Sequence, residues 1–236
     1  MKPTKEKLFY FDCEWVPVVQ DPFDLKLDHP LLYDAFEHQV EKWKKSAMES
    51  QGSSYLSKSA DNWWEEKAHF YPEFCKMICV SYGYFNKGEF IVKSLYGEDE
   101  KKLLEPIPEL FDKVNQSGYI LCGAAIQRYD MPWLSKRLMA NGLIPPKNLN
   151  VYGKKPWEVE IFDIMQVWGQ GNSQESYTPM ELIAASLNIE SSKNDLSGSK
   201  VAEAYFNGEL ERIKKYCEED VLCTMKIAVK LIDMLP

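Results

Sequence analysis

The chain has 236 residues, 45% of them hydrophobic and 13% aromatic, which is enough to bury a substantial core and excludes global disorder. Its formal net charge of −8 argues against a passive wrapper of nucleic acid, which is normally basic. An enzyme acting on nucleic acid stays open, because bound cations can face the phosphates.

In chain order, Met1–Lys7 is charged and runs straight into a strand rather than into the apolar core of a signal peptide. That strand, Leu8–Trp15, reads Leu-Phe-Tyr-Phe-Asp-Cys-Glu-Trp. Aromatic and apolar residues of this kind suit a buried pleated surface. Asp12 and Glu14 are two apart and therefore project from the same face. Two carboxylates held side by side repel, and burying them is costly without compensation. Either a divalent cation supplies that compensation or the strand emerges into water there. Oxygen ligands without a His or Cys pair at zinc spacing suit Mg²⁺ or Mn²⁺.

Residues 16–71 read as an insertion within a single domain of residues 1–236. Val16–Pro30, rich in Asp and Pro, reads as loop, with Asp28 or His29 leading into a helix. Leu32, Ala35, Phe36, Val40 and Trp43 recur at helical spacing and predict an amphipathic helix over Leu31–Glu49. Gln51–Ser59 is a serine-rich break, and Asp61-Asn62 is expected to cap a second helix carrying Trp63-Trp64. Those tryptophans either stack bases or, the favoured reading, anchor the insertion to the core.

Cys75–Phe85, a turn at Asn86-Lys87-Gly88 and Glu89–Leu95 predict a hairpin. A helix over Asp99–Asn115 is interrupted near Pro106 and Pro108. Tyr119–Cys122 is a short buried strand. Gly123–Tyr129 is a turn, and Asp130 precedes a helix, Met131–Asn141, closed by Gly142. Glu160–Asp163 is another short strand, Thr178–Leu187 and Gly208–Leu235 are helices, and Gly198–Tyr205 is a short helix between them. The sum is an α/β fold, a mixed five-stranded sheet with helices on its faces. On the last helix Tyr216 and Asp220 are one turn apart, beside the apolar positions Ile213, Val221, Met225 and Ala228, while Glu218 and Glu219 point more to water. The six cysteines are scattered singly, as in a reduced intracellular protein, and no window is long and apolar enough to span a membrane. A cytoplasmic protein without a membrane partner is expected.

Three acidic signals recur in a fixed order: Asp12 with Glu14, Asp130 within Ile126-Gln-Arg-Tyr-Asp-Met-Pro-Trp-Leu134, and Tyr216-Cys217-Glu218-Glu219-Asp220. In these the chain resembles the DEDD superfamily of 3′–5′ exonucleases, in the branch whose third motif carries tyrosine. Within it, the chain is similar to proteins related to the exonuclease domain of family B DNA polymerases. The likeness includes Phe74–Phe85, a strand over Glu160–Gln166 and the run Asp195-Leu-Ser-Gly-Ser-Lys-Val201. The resemblance implies a ribonuclease H-like fold in which Asp12, Glu14, Asp130 and Asp220 converge on two divalent cations, Mg²⁺ or Mn²⁺. It gives Tyr216 the task of orienting or deprotonating the attacking water. An ordinary tyrosine pKa of about 10 favours orienting.

The chain departs from the family at the second motif. Gly123 is followed by Ala124-Ala125, where a His-Asn or similar pair is usual, so a polar contact to the substrate is missing. Trp15 stands where a smaller residue is common, and its ring either wedges against a terminal base or only packs. Trp15, Ala124, Ala125 and Tyr129 are thus the candidate substrate contacts. The expected activity is removal of nucleotides from a 3′ end, single-stranded DNA favoured. RNA or short oligonucleotides are the alternative substrate, and a weakened module binding nucleic-acid ends is the alternative function. With no polymerase domain in the sequence, a polymerase or replication partner is expected in trans.

Overall fold

The computed structural model describes residues 2–51, 58–171, 178–190 and 195–236. In chain order its elements are β1 (Leu8–Pro17), α1 (Pro22–Asp28), α2 (Pro30–Gln51), α3 (Ala60–Lys67), β2 (Cys75–Asn86) and β3 (Glu89–Tyr96). There follow α4 (Glu100–Leu104), α5 (Ile107–Gln116), β4 (Ile120–Gly123), α6 (Asp130–Ala140) and β5 (Ile161–Asp163). The chain ends with α7 (Ile164–Trp168), α8 (Met180–Ser186), α9 (Val201–Phe206) and α10 (Leu210–Met234). Two compact units result: Met1–Glu14 with Met77–Pro236, and Trp15–Lys76.

The larger unit is built on a mixed five-stranded sheet in the order β3-β2-β1-β4-β5. β1, β4 and β5 run parallel, with Tyr10 opposite Cys122, Cys122 opposite Phe162, and Gly123 opposite Asp163. β2 and β3 form the antiparallel hairpin, closed by Lys87 and Gly88 at φ 51° and 88°. Positive φ at both turn residues matches the right-handed twist of the strands. Residue parity in β1 then sorts the faces. Leu8 and Tyr10 join a buried cluster with Val221, Ile227 and Leu231 of α10 and with Met180 and Ile183 of α8. Phe9 and Phe11 point to the opposite face and meet the ring of Phe111 on α5 edge-on, at 5.6 and 5.4 Å. Helices therefore cover both faces, as in the ribonuclease H-like fold.

The smaller unit carries its own aromatic core. Phe36 lies edge-on to Trp64 at 5.2 Å and to Phe74 at 5.9 Å, and Trp43 stacks on Trp63 at 6.0 Å. The indole N–H of Trp64 donates to the Val19 carbonyl (3.3 Å), and that of Trp43 donates to the Tyr71 hydroxyl (3.0 Å). Trp63 and Trp64 are buried within this unit, which removes them as base-stacking surfaces. Several local expectations change. Val16–Pro30 is not a loop: β1 continues to Pro17, and Asp21 accepts from the N–H groups of Phe23 and Asp24 to start α1 at Pro22. The cap of α3 is Ser59, in a reciprocal box with Asn62, rather than Asp61-Asn62 itself. Ala35 is exposed, so the buried stripe of α2 narrows to Phe36, Val40 and Trp43. Within the serine-rich break, residues 52–57 lie outside the described residues.

Candidate active site

The parity that sends Leu8 and Tyr10 toward α10 continues up the strand to Asp12 and Glu14. Both acids sit past the point where β1 pairs with β4, at the carboxyl ends of the parallel strands. Sheet order reverses at β1, with β2 on one side and β4 on the other. Ligands of open α/β sheets gather at such switch points. Gly83 and Gly123 allow the close approach this requires. A Cβ on Gly83 would lie 2.4 Å from the Phe90 ring and 3.1 Å from Val221 of α10. One on Gly123 would lie 2.0 Å from Ile126 and 2.9 Å from the Phe11 carbonyl oxygen.

Four carboxylates converge there. Asp130 is the first residue of α6, is 4% exposed, and accepts a hydrogen bond (3.0 Å) from the N–H of Cys13, the residue between Asp12 and Glu14. From α10 the thiol of Cys217 donates to Asp12, at 3.3 Å to Oδ2. One carboxylate oxygen from each of Asp12 and Glu14 and the Cys217 sulfur lie within 4.8 Å of one another, a group able to hold a metal ion. Asp220, one turn beyond Tyr216 and also buried, is hydrogen-bonded to the Tyr216 hydroxyl.

Electrostatics follow from burying like charges together. Burial holds Asp12 well above the usual carboxylate range, and the charges of Asp130, Glu14 and Asp220 add to it. Burial pushes Asp130 up to about 7 against the N–H bonds that favour its charged form. Tyr216 is raised by burial and then by the charges of Glu14, Asp220 and Asp12. Its hydroxyl therefore stays protonated throughout the neutral range.

Chain residues 68–234, most of the molecule, match the family model of predicted 3′–5′ exonucleases related to the exonuclease domain of PolB. The chain belongs to that family. Among curated proteins, none matches it. Asp12 and Glu14 precede the matched residues of this exonuclease family, yet the fold brings them to Asp130, Cys217 and Asp220.

The remaining sequence candidates are placed differently. The Trp15 indole N–H donates to the His69 carbonyl (3.3 Å), inside the smaller unit. Ala124 packs on the core cluster shared with α10. Tyr129, 38% exposed, lies under the Arg128 guanidinium at 5.3 Å. Ala125 takes a left-handed φ of 57°, and its N–H donates (3.0 Å) to Asp163 Oδ1. Sequence reading missed Asp163. The expected strand over Glu160–Gln166 stops at this residue, which caps α7 through the N–H groups of Met165 and Gln166. Its other oxygen, Oδ2, is buried with no hydrogen-bond partner among the described residues. An Asp at a strand end, followed by a helix, was the available signal. Cys217 was missed because its partner Asp12 lies 205 residues away. Gly198 belongs to the run Asp195–Val201, and a Cβ there would come within 3.9 Å of the Tyr216 hydroxyl. Glu218 is not simply solvated, since the Ser94 hydroxyl donates to it at 2.7 Å.

Proposed function

We propose that the protein is a metal-dependent 3′–5′ exonuclease that hydrolyses the terminal phosphodiester of single-stranded DNA, with Asp12, Glu14, Asp130 and Asp220 as the ligands of two divalent cations. The observation that carries this reading is the convergence of carboxylates at the end of β1: burial drives Asp12 and Asp130 upward, and at Asp12 the charges of Asp130, Glu14 and Asp220 add to it. A donor set dominated by carboxylate oxygen fits Mg²⁺ or Mn²⁺, with the Cys217 thiol as the one soft neighbour. When bound, such cations supply the positive charge that offsets the acids and the charge building on the attacking and leaving oxygens.

The chain's own groups do the rest. The Cys13 N–H fixes the Asp130 carboxylate, and the Cys217 thiol fixes that of Asp12, so two ligands are oriented before substrate arrives. Tyr216, held protonated and tied to Asp220, orients the attacking water rather than taking its proton. The water's oxygen bonds to phosphorus as its proton passes to solvent, the bond from phosphorus to the 3′-oxygen of the preceding nucleotide breaks, that oxygen takes a proton from solvent, and a 5′-mononucleotide departs. The Asp163–Ala125 bond shapes the turn ahead of Asp130.

The test is hydrolysis of end-labelled single-stranded DNA, duplex DNA and RNA with Mg²⁺ or Mn²⁺, with EDTA as control. Wild type should shorten single-stranded DNA stepwise from the 3′ end, and EDTA should stop it. Asp12→Ala should lose roughly a thousandfold or more, and Tyr216→Phe about a hundredfold with metal affinity retained. Equal elevation of the melting temperature by Mn²⁺ in wild type and Asp12→Ala would show that the cation binds elsewhere. Faster cleavage of RNA would reassign the substrate.

A further inference from the structure

Lys147–Trp157, in the connection from α6 to β5, is opposite in character to the acid cluster. Its eleven residues include Lys147, Lys154 and Lys155 and no acid, in a chain of formal charge −8. Tyr152 and Trp157 are 91% and 77% exposed. The ammonium of Lys155 lies over the Trp157 ring, 5.3 Å from its centroid, so a positive charge and an aromatic face are displayed together. These side chains stand on a tethered backbone. Leu149 is buried with its carbonyl accepting from the Ser135 hydroxyl (3.3 Å), and the Asn148 amide donates to the Phe111 carbonyl (3.0 Å). The Lys155 N–H donates to Glu158 (2.8 Å).

We propose that Lys147–Trp157 is a stacking platform for single-stranded nucleic acid, with Tyr152 and Trp157 each taking a base and the lysines the phosphates between them. The proposal rests on the exonuclease reading and extends it to the strand behind the 3′ end. Charge decides the occupant. Exposed rings interleaved with lysines match a flexible polyanion with π faces, whereas a protein interface of this size would present a contiguous apolar centre. Reach agrees. Trp157 is six positions from Asp163, whose charge acts on Asp130. Such a span covers at most about 20 Å, or about six nucleotides at the stacked spacing of ~3.4 Å.

The experiment compares two substrates in wild type and in Tyr152→Ala/Trp157→Ala. One is 5′-labelled (dT)20. The other is the p-nitrophenyl ester of thymidine 5′-monophosphate, which reaches the acids but is too short for the platform. On (dT)20, kcat/KM should fall about tenfold per ring, mainly through KM. The ester should be unaffected, and Trp157→Phe should restore most of the loss at its ring. Lys154→Glu/Lys155→Glu should also flatten the salt dependence on (dT)20, by roughly 0.7 in log–log slope per lost phosphate contact. Equal losses on both substrates, or none on (dT)20, would overturn the platform. So would a change in self-association by sedimentation with (dT)20 kinetics unchanged, which would make the surface a protein interface. If wild type cleaves neither substrate, the exonuclease reading fails separately. Fluorescence anisotropy with labelled (dT)20 then still decides the platform, by whether the double variant loses binding.

Discussion

Among the described residues, the buried polar and charged side chains are Ser81, Asp130, Asp163, Asp220 and Thr224, and all belong to the larger unit. The hydrophobic cluster of the smaller unit, Val19, Leu25, Phe36, Val40, Trp43, Trp63, Trp64, Ala68 and Phe74, has no buried carboxylate within it. Burying a carboxylate among others costs free energy, whereas burying an indole releases it. One unit is thus built for packing, and the other gives up stability to hold charges where a reaction needs them. Substitution should therefore act in opposite senses on the two: removing a buried group weakens the first and relieves the second.

The largest effect on stability is expected in the smaller unit. Trp64 is 2% exposed, lies against Phe36 and Phe74 at 5.2 and 5.7 Å, and donates to Val19. Trp64→Ala should destabilise this unit by about 3–5 kcal/mol, read as a lowered midpoint in urea. A loss below about 1 kcal/mol would show that the aromatic cluster is not its core.

The opposite sign is expected in the acid cluster, and pH exposes it. Asp12 and Asp130 are raised in the fold, Asp130 to about 7. The metal-free fold therefore binds more protons than the unfolded chain between the ordinary carboxylate pKa of about 4 and neutrality. Their favourable contribution is complete below the unfolded pKa and is lost as pH rises through the folded one. In EDTA the melting temperature should fall from pH 5 to pH 8, by the equivalent of a few kcal/mol. Asp130→Asn should flatten that fall and raise the melting temperature at pH 8. Saturating Mn²⁺ should reverse the wild-type trend, because cations bind the deprotonated acids. A flat profile in EDTA would mean that the carboxylates are not packed together as described.

How much of this was legible in the sequence depends on the range of each interaction. β1 could be read from Leu8–Phe11 alone, and parity placed Asp12 and Glu14 on one face without any tertiary knowledge. Asp130, Tyr216 and Asp220 became candidates only when the family resemblance joined them, since an acid at a local junction and a one-turn pair on a helix face are weak signals alone. Cys217 sits on that same helix, but only the fold brings Asp12 to it. The Asp163–Ala125 bond spans 38 residues, and the strand pattern of Glu160–Gln166 hid the cap within it. In the smaller unit, the Asp and Pro residues of Val16–Pro30 signalled loop, although Asp21 followed by Pro22 is also how a helix begins. The same local chemistry serves both outcomes, and packing by Leu25 selects the helix.

The smallest effect concerns the turn at Ala124-Ala125, where the family resemblance leads us to expect a polar pair. Ala125 sits at φ 57°, its N–H bound by Asp163 and its carbonyl accepting from the N–H groups of Arg128 and Tyr129 at 3.0 and 3.1 Å. The main chain thus fixes this conformation, and a non-glycine residue there carries a cost of about 1–2 kcal/mol. Asparagine tolerates that region better than alanine, so Ala125→Asn should fold with unchanged or slightly higher stability. If its amide reaches the terminal nucleotide, one hydrogen bond is regained, and kcat/KM on a 3′-terminated strand should rise roughly tenfold. Ala125→Gly is the control, because it relieves the backbone while adding no polar group. The expected pattern is a faster Asn variant beside a Gly variant at the wild-type rate, with metal dependence unchanged in both. Equal acceleration by Asn and Gly would assign the gain to the backbone instead. A stable Asn variant no faster than wild type on DNA or RNA would mean that no substrate contact was lost at this turn.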